Sequence, residues 1–350
     1  MPDIREYIRS YRKILERYID DYFDDLIRKQ TTHSGQQVAA LYGIFKEAGR
    51  GGKYIRGSLV KLGYEIAWGQ PADDAILPAS AAFEIFQTSA LCHDDIIDKS
   101  PLRRGRDSIW KAIARDVDYH YGVSQAICLG DVGLSLSSRL VLDSSFGWDE
   151  KSRALGILFD AQTNTMDGEM LDVCMSQKKD YGDEKGVLKI SELKTAWYTI
   201  VGPLQLGAVL GGASRTLLDA MKRYGLALGI AFQLKDDILG IEATEAEMGK
   251  SNTSDIAEGK VTLLAHYAMK GATPDQLRQL RQIYGNDTVS EEDRATVQNI
   301  FQSTGAFAEV TRRAETYLAE ARGVVSDVTR DPDKTELLTH LCDMMFQRKS

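Results

Sequence analysis

Residues 78–98 read PASAAFEIFQTSALCHDDIID, and this stretch decides the fold. Pro78 suits the first turn of a helix, where a missing N–H costs nothing. Mostly small and apolar side chains then run to Leu91, and Ser100-Pro101 ends the run. The pattern predicts a buried helix of roughly 30 Å at 1.5 Å per residue. It ends in three carboxylates, Asp94, Asp95 and Asp98. Asp94 and Asp98 are four residues apart and share a helix face, with Asp95 beside them. Clustered carboxylates repel one another. An oxygen-preferring dication such as Mg²⁺ relieves that repulsion and completes its shell with water and phosphate oxygens. Arg103 and Arg104 follow in Leu102-Arg103-Arg104-Gly105, and guanidinium groups grip phosphate in bidentate fashion. The first reading is a magnesium–diphosphate site.

The same spacing of aspartates recurs in Asp20-Asp21-Tyr22-Phe23-Asp24. There Ile4, Tyr7, Ile8, Tyr11, Ile14, Leu15, Tyr18, Ile19, Tyr22, Phe23, Leu26 and Ile27 recur at helical intervals. The aspartates fall between them, on the face that an amphipathic surface helix gives to water. Company separates the two motifs: Asp94 to Asp98 has a small and apolar helix before it, paired arginines after it and a second acidic site far downstream.

Helical periodicity dominates the remainder. Helices are expected over roughly 3–29, from Lys53 and Arg56 onward, 78–98, 124–142, 155–174, 190–209, 215–241, 306–329 and 334–346. The helix over 124–142 is expected to be buried on most sides. Alternating strands, long linkers and solenoid repeats are not found. Only seven prolines interrupt the 350 residues, and 43% of them are hydrophobic. The expected product is all-α: a single domain over 1–350, a helical bundle with its site inside. A net charge of −8 argues against a nucleic-acid surface. Cys92, Cys128, Cys174 and Cys342 show no metal-ligand spacing. They read as reduced, mostly packed thiols of a cytoplasmic protein. No apolar run reaches the roughly 18 residues of a membrane span.

A second acidic site lies in Phe232-Gln233-Leu234-Lys235-Asp236-Asp237-Ile238-Leu239-Gly240. A helix again ends in paired aspartates. Gly249-Lys250, Ser254-Asp255 and Glu258-Gly259-Lys260 follow. Two lysines in a polar loop beyond a carboxylate pair suit a lid over a metal-bound polyanion.

Taken together these motifs resemble the trans-isoprenyl diphosphate synthases, the head-to-tail prenyltransferase family. The resemblance runs from about residue 45 to about residue 265. Its motifs stand in the family's order: Gly51-Gly52-Lys53 with Arg56, Glu84 and Gln87, the first acidic motif, Leu102 to Gly105, Gly130-Asp131, Gly168 to Asp172, Lys194-Thr195, Phe232 to Asp237, and Gly249-Lys250 through Lys260. The resemblance implies the class I isoprenoid synthase fold, Mg²⁺ and a homodimer. By it, Asp94, Asp98 and Asp236 ligate the metal, with Asp95 and Asp237 supporting. Arg103, Lys194, Lys250 and Lys260 hold an allylic diphosphate. Lys53, Arg56, Gln87 and Arg104 hold isopentenyl diphosphate, with Arg348 as a weaker addition. Thr195 and Gln233 face the developing allylic cation.

The chain departs from the family pattern at named places. Gly240 stands where a third aspartate is usual, Glu169 where a glutamine is, and Gly57 where a proline commonly follows Arg56. Gln87 stands where histidine is frequent. His93 and Cys92 read as packed or hydrogen-bonded side chains, because Mg²⁺ prefers oxygen and no oriented base accompanies the thiol. Gly225 and Gly229 read as close-packing positions. A class I terpene cyclase, a non-catalytic subunit of a heteromeric synthase and a helical interaction protein are the rival readings. Lys53, Arg56 and Arg104 favour the prenyltransferase, since a cyclase needs no second diphosphate pocket.

Product length is expected to follow from the helix before Asp94. In the family, bulky side chains four or five residues before the first aspartate stop growth at fifteen carbons. Here Ala90 and Ser89 are small. Phe86 lies about one turn deeper than Ala90, roughly 5.4 Å, close to one isoprene unit. The expectation is geranylgeranyl diphosphate, with a fifteen-carbon or a longer product as the alternatives.

Overall fold

The computed structural model describes residues 3–178, 181, 183–242, 254–286 and 288–346. Helices carry nearly all of it, as the periodicity predicts. By internal contacts the chain divides into two compact units. One comprises Met1–Asp160, Gly202–Met221 and Asp331–Leu337; the other comprises Ala161–Val201, Lys222–Arg330 and Leu338–Ser350.

The first unit holds α1 (Ile4–His33), α2 (Gln36–Gly49), α3 (Ile55–Trp68), α4 (Leu77–Ile97), the short α5 (Ile109–Ala114) and α6 (Tyr119–Asp143). It also holds α9 (Gly202–Leu210) and the first part of α7 (Trp148–Lys178). A two-residue hairpin, β1 (Leu102–Arg103) against β2 (Arg106–Asp107), follows α4. The buried helix predicted over 78–98 is α4, with Pro78 in its first turn. Phe83, Phe86 and Ser89 are fully buried. By length and composition the segment Asp74–Ile97 could also cross a membrane, with 67% of its most apolar window buried inside the protein.

Glycines set the helix spacing in this unit. A Cβ at Gly207 would lie 1.8 Å from the carbonyl oxygen of Val60, and one at Gly63 would lie 2.1 Å from that of Leu204. Only glycine at both positions lets α3 and α9 cross backbone to backbone. That crossing fixes α3, whose first turn carries Arg56. A Cβ at Gly133 on α6 would lie 2.0 Å from Ser89 Oγ, so α4 and α6 meet as closely.

The second unit holds α8 (Glu184–Ile190), a π-helix (Ser191–Val201), most of α10 (Arg215–Glu242), α11 (Ser254–Ala257), α12 (Leu263–Gly271), α13 (Pro274–Ile283), α14 (Glu291–Ser303) and α15 (Ala306–Val328). The last helix, α16 (Pro332–Phe346), has residues in both units. Leu234, Ile238, Ile241, Ile256, Leu264, Phe301 and Val310 belong to one core cluster of this unit.

Four expectations need correction. The helix expected over 190–209 is three pieces: the end of α8, the π-helix and α9. The helix α2, absent from the sequence reading, supplies partners for the first acidic look-alike. Arg50 donates to Asp20 from Nε and Nη2 at 3.1 and 2.9 Å, and Lys46 donates to Asp24 at 2.5 Å. Those aspartates therefore tie α1 to α2, because two cations lie within reach across the helix pair. The helix α6 is buried on one face only, and Tyr121, Ile127 and Cys128 are exposed on it. Of the four free cysteines, Cys92 and Cys342 are buried while Cys128 and Cys174 are exposed.

Candidate active site

In the first unit the site begins where α4 stops. Asp98 is its last, half-in residue, and its N–H still donates to Asp94 O. The chain then turns under constraint. Trp110 Nε1 donates to the carbonyls of Asp95 and Ser100 at 3.0 and 2.9 Å, which pins both sides of the turn. Lys99 and Arg104 adopt φ of 53° and 54°, and Tyr54 adopts 55°. These are the non-glycine residues with positive φ among the described residues. Such backbone is costly and persists where its surroundings hold it. All three lie beside predicted ligands: Lys53 and Arg56, Asp98, and Arg103.

The hairpin brings Arg103 back onto the end of α4. Its Nε donates to Asp95 Oδ1 and its Nη2 to Asp94 Oδ2, each at 2.8 Å. Burial works against the guanidinium charge, but the carboxylates of Asp94 and Asp95 more than offset it and hold Arg103 above its ordinary value. Asp95 is buried, while Asp94 and Asp98 are partly open. The donors available to a cation are thus carboxylate oxygens at one helix end, a set that suits a hard dication.

A cavity of about 670 Å³ opens in this unit, lined among others by Gly52, Glu84, Gln87, Asp95, Arg103 and Arg104. Four predicted ligands thus face one space or border it. A Cβ at Gly52 would lie 3.4 Å from Arg104 Nη1, so the guanidinium lies beside the backbone of Gly52. Glu84 sits buried beneath. Its Oε1 accepts from Gly57 N at 2.7 Å. Burial pushes the Glu84 carboxyl up, and the Gly57 N–H and the charges of Arg56 and Arg104 oppose that. Gly57 departs from the family's proline for a visible reason. A Cβ there would lie 2.3 Å from Leu15 Cδ2, and a proline has no N–H for Glu84. Arg56 is buried and Lys53 exposed.

His93 and Ser89 face away from this cavity. His93 Nε2 lies 3.3 Å from Ile127 O, against Gly130, as a packed and hydrogen-bonded histidine. Ser89 packs against Gly133, and its Oγ donates to Ile85 O at 3.1 Å. Ala90 is half-buried, and Phe86 packs its ring 6.2 Å from that of Phe83.

In the second unit the π-helix presents Lys194 and Thr195. Runs with i→i+5 bonding are rare and cluster at functional sites. Three glycines accommodate this wide helix. A Cβ at Gly168 on α7 would lie 2.3 Å from Lys194 N. One at Gly229 on α10 would lie 2.4 Å from Ala196 Cα, and one at Gly225 would lie 3.0 Å from Val201 N. Gly225 and Gly229 are packing positions, as the sequence suggests.

Lys194 is held by Glu169 at 2.8 Å and by Asp172 at 2.9 Å. The departure at Glu169 is therefore a lysine partner. Thr195 Oγ1 donates to Gln233 Oε1 at 2.6 Å, and Gln233 Nε2 donates to Asp237 Oδ1 at 2.8 Å. This chain links the two residues predicted to face the cation with the second acidic motif. Burial pushes the Asp237 carboxyl up to about 7; the Gln233 bond and Lys260 oppose it, while Asp255 and Asp236 add to it. Crowded carboxylates of this kind also fit a dication. Lys260 is paired with Asp255 and Glu258 at 2.9 and 3.1 Å. Lys250 and Arg348 lie outside the described residues. The roles of Glu84, Asp172 and Asp255 escaped the sequence reading. The spacing of Asp255 to Lys260, five residues apart in a polar loop, was the available signal.

Comparison with known proteins identifies the family. The polyprenyl synthetase family model matches residues 38–302. A short chain isoprenyl diphosphate synthase of Methanothermobacter thermautotrophicus is 28% identical over all of both chains. A geranylfarnesyl diphosphate synthase of Aeropyrum pernix is 30% identical over 85% of this chain and 91% of its own. Among solved structures, a geranylgeranyl pyrophosphate synthase of Corynebacterium glutamicum, complexed with isoprenyl diphosphate and magnesium, superposes with a TM-score of 0.88. It is 30% identical, over 95% of this chain and 98% of that one. The chain belongs to the polyprenyl synthetase family, the trans-prenyltransferases that build isoprenyl diphosphates.

Proposed function

We propose that this prenyltransferase is magnesium-dependent, condenses isopentenyl diphosphate with an allylic diphosphate, and releases geranylgeranyl diphosphate as its main product. One observation carries the chemistry. Each unit holds a cation suited to phosphate clamped on two carboxylates, Arg103 on Asp94 and Asp95, and Lys194 on Glu169 and Asp172.

In this reading Asp94, Asp95, Asp98, Asp236 and Asp237 are the magnesium ligands. The bound metal supplies Lewis-acid stabilisation of the departing diphosphate charge. Arg103, Lys194, Lys250 and Lys260 grip the allylic diphosphate. Lys53, Arg56, Gln87 and Arg104 grip isopentenyl diphosphate. Thr195 already spends its proton on Gln233, which leaves its oxygen lone pairs for the allylic cation, a preorganised dipole that needs no turning during reaction. The double bond of isopentenyl diphosphate attacks that cation. The final proton goes to released pyrophosphate, the simplest acceptor where no side-chain base stands out.

The twenty-carbon length rests on small Ser89 and Ala90, with Phe86, fully buried, one turn deeper. Relatives named as geranylgeranyl and geranylfarnesyl diphosphate synthases support a product of twenty carbons or longer. A homodimer is the proposed assembly, supported by the apolar Tyr121 and Ile127 exposed at 38% and 45% on α6. The cytoplasm is the proposed location, supported by four cysteines in the free state. Incubation with isopentenyl diphosphate and five-, ten- or fifteen-carbon primers, followed by chromatography, tests activity and length together. Main product at twenty carbons upholds the proposal; any other main length refutes the assignment of Phe86, and no product refutes the activity.

A further inference from the structure

Gly240 lacks the carboxylate that the family pattern places there, and the structure accounts for the space. A Cβ built on Gly240 would lie 2.2 Å from Asp255 Oδ2 and 3.3 Å from Asp255 Cγ. The carboxylate of Asp255 thus lies where a side chain at 240 would begin. We propose that Gly240 and Asp255 are a matched pair of positioning residues: the bare backbone of Gly240 seats the Asp255 carboxylate, and the seated carboxylate holds Lys260. This rests on reading Lys260 as a diphosphate ligand.

The hold is direct. Asp255 Oδ1 accepts from Lys260 Nζ at 2.9 Å, and Glu258 Oε2 supports it at 3.1 Å. The Asp255 side chain is only 13% exposed, so its pairing with Lys260 is well shielded from water. The backbone of this turn has little room to retreat. Tyr181 Oη donates to Gly259 O at 3.0 Å, and Tyr284 Oη donates to Lys260 O at 2.9 Å. Gly285 N donates to Ile256 O at 2.8 Å, and the Ile256 side chain is fully buried. Gly259 adopts φ +65°, and a Cβ there would lie 2.9 Å from Gly285 Cα. With the turn fixed on three sides, a side chain at 240 must evict the Asp255 carboxylate rather than shift the segment. An aspartate restored at 240 would therefore displace the Asp255 carboxylate, and putting it back is harmful.

The test is a set of double-mutant cycles on the full chain. Gly240→Ala and Gly240→Asp should each raise the KM for the allylic diphosphate about tenfold, the loss of roughly one charge-assisted contact, with a smaller change in kcat. In a Lys260→Ala background the same substitutions should raise KM no further. Urea unfolding of the metal-free protein reads the steric half separately. Gly240→Ala should lower the unfolding midpoint in the wild-type background and leave it unchanged in an Asp255→Gly background, where the seat is empty. That double variant also serves if Gly240→Ala alone folds poorly. Equal loss from Gly240→Ala in both backgrounds, or a Gly240→Asp enzyme that matches the wild type, overturns the pairing. Coupled unfolding with KM unaffected by Lys260→Ala instead overturns the role of Lys260 and leaves the seat standing.

Discussion

Gly168→Ala is a one-methyl perturbation aimed at the π-helix. The added Cβ would lie 2.3 Å from Lys194 N, 2.7 Å from Lys194 Cα and 2.9 Å from Leu193 C. All three are backbone atoms, so no side-chain rotation relieves the overlap. Ordinary contact begins near 3.4 Å; α7 and the π-helix must separate by about 1 Å. A misplacement of about 1 Å can cost ~10²-fold in rate, and overpacking of this kind typically costs about 1–3 kcal/mol of stability. The displaced lysine would also lose its fit to Glu169 and Asp172. We expect kcat/KM for the allylic substrate to fall about 10²-fold while the KM for isopentenyl diphosphate changes little. Gly156→Ala on the same helix is the control, because nothing lies within 4 Å of its added Cβ. It should be neutral or stabilise by up to about 1 kcal/mol through helix propensity. Steady-state kinetics with each substrate varied, beside thermal unfolding of both variants, decides the matter. A Gly168→Ala enzyme with wild-type kcat/KM would show that Lys194 does not depend on this contact.

Other outcomes follow from the same geometry. Asp94→Asn or Asp98→Asn should lower turnover by several orders of magnitude, whereas Asp20→Asn, which loosens its pairs with Arg50 and Lys46, should leave turnover intact and cost about 0.2–1 kcal/mol in urea unfolding. Ala90→Phe should shorten the main product to fifteen carbons, and Phe86→Ala should lengthen it beyond twenty at a cost of about 3–5 kcal/mol in stability; chromatography of the products reads both. In chelator, stability should fall as pH rises from about 4 to about 7. Over that range the folded protein keeps an Asp237 proton, its carboxyl being raised from 3.8 to about 7, that the unfolded chain has already lost. Urea unfolding across that range should show the slope, and Asp237→Asn should flatten it.

The parts of the fold legible in the sequence are those governed by local pattern. The run of small residues from Pro78 and the acidic end at Asp98 mark α4 because burial and helix termination act within one segment. The π-helix was not legible in that way. Ser191–Val201 has an ordinary amphipathic composition, and the glycines that leave room for it, Gly168, Gly225 and Gly229, lie on other helices. The helix α2 was missed although Val38, Leu41, Ile44 and Phe45 recur at helical intervals; Gly43, Gly49, Gly51 and Gly52 pointed to a turn instead. At the site, residue type and spacing named Arg103, and the family resemblance named Lys194, Thr195 and Gln233. Their partners could not be named, because Asp172 and Lys194 are 22 positions apart and meet only in the folded unit.

The paired state of Arg103, Lys194 and Lys260 has a consequence for ionic strength. Each of these cations already has protein carboxylates as its counter-ions. Engaging a diphosphate therefore exchanges one anion for another and expels few small ions into solution. Surfaces of bare lysines gain affinity by such release and lose it steeply as salt is added. Diphosphate capture here should instead weaken only shallowly across the salt range of a cell. The same balance makes a lone diphosphate, arriving without a divalent cation, an excess of negative charge. A metal that takes up Asp94 and Asp95 frees Arg103 to meet it, so each ligand raises the affinity for the other by the same factor.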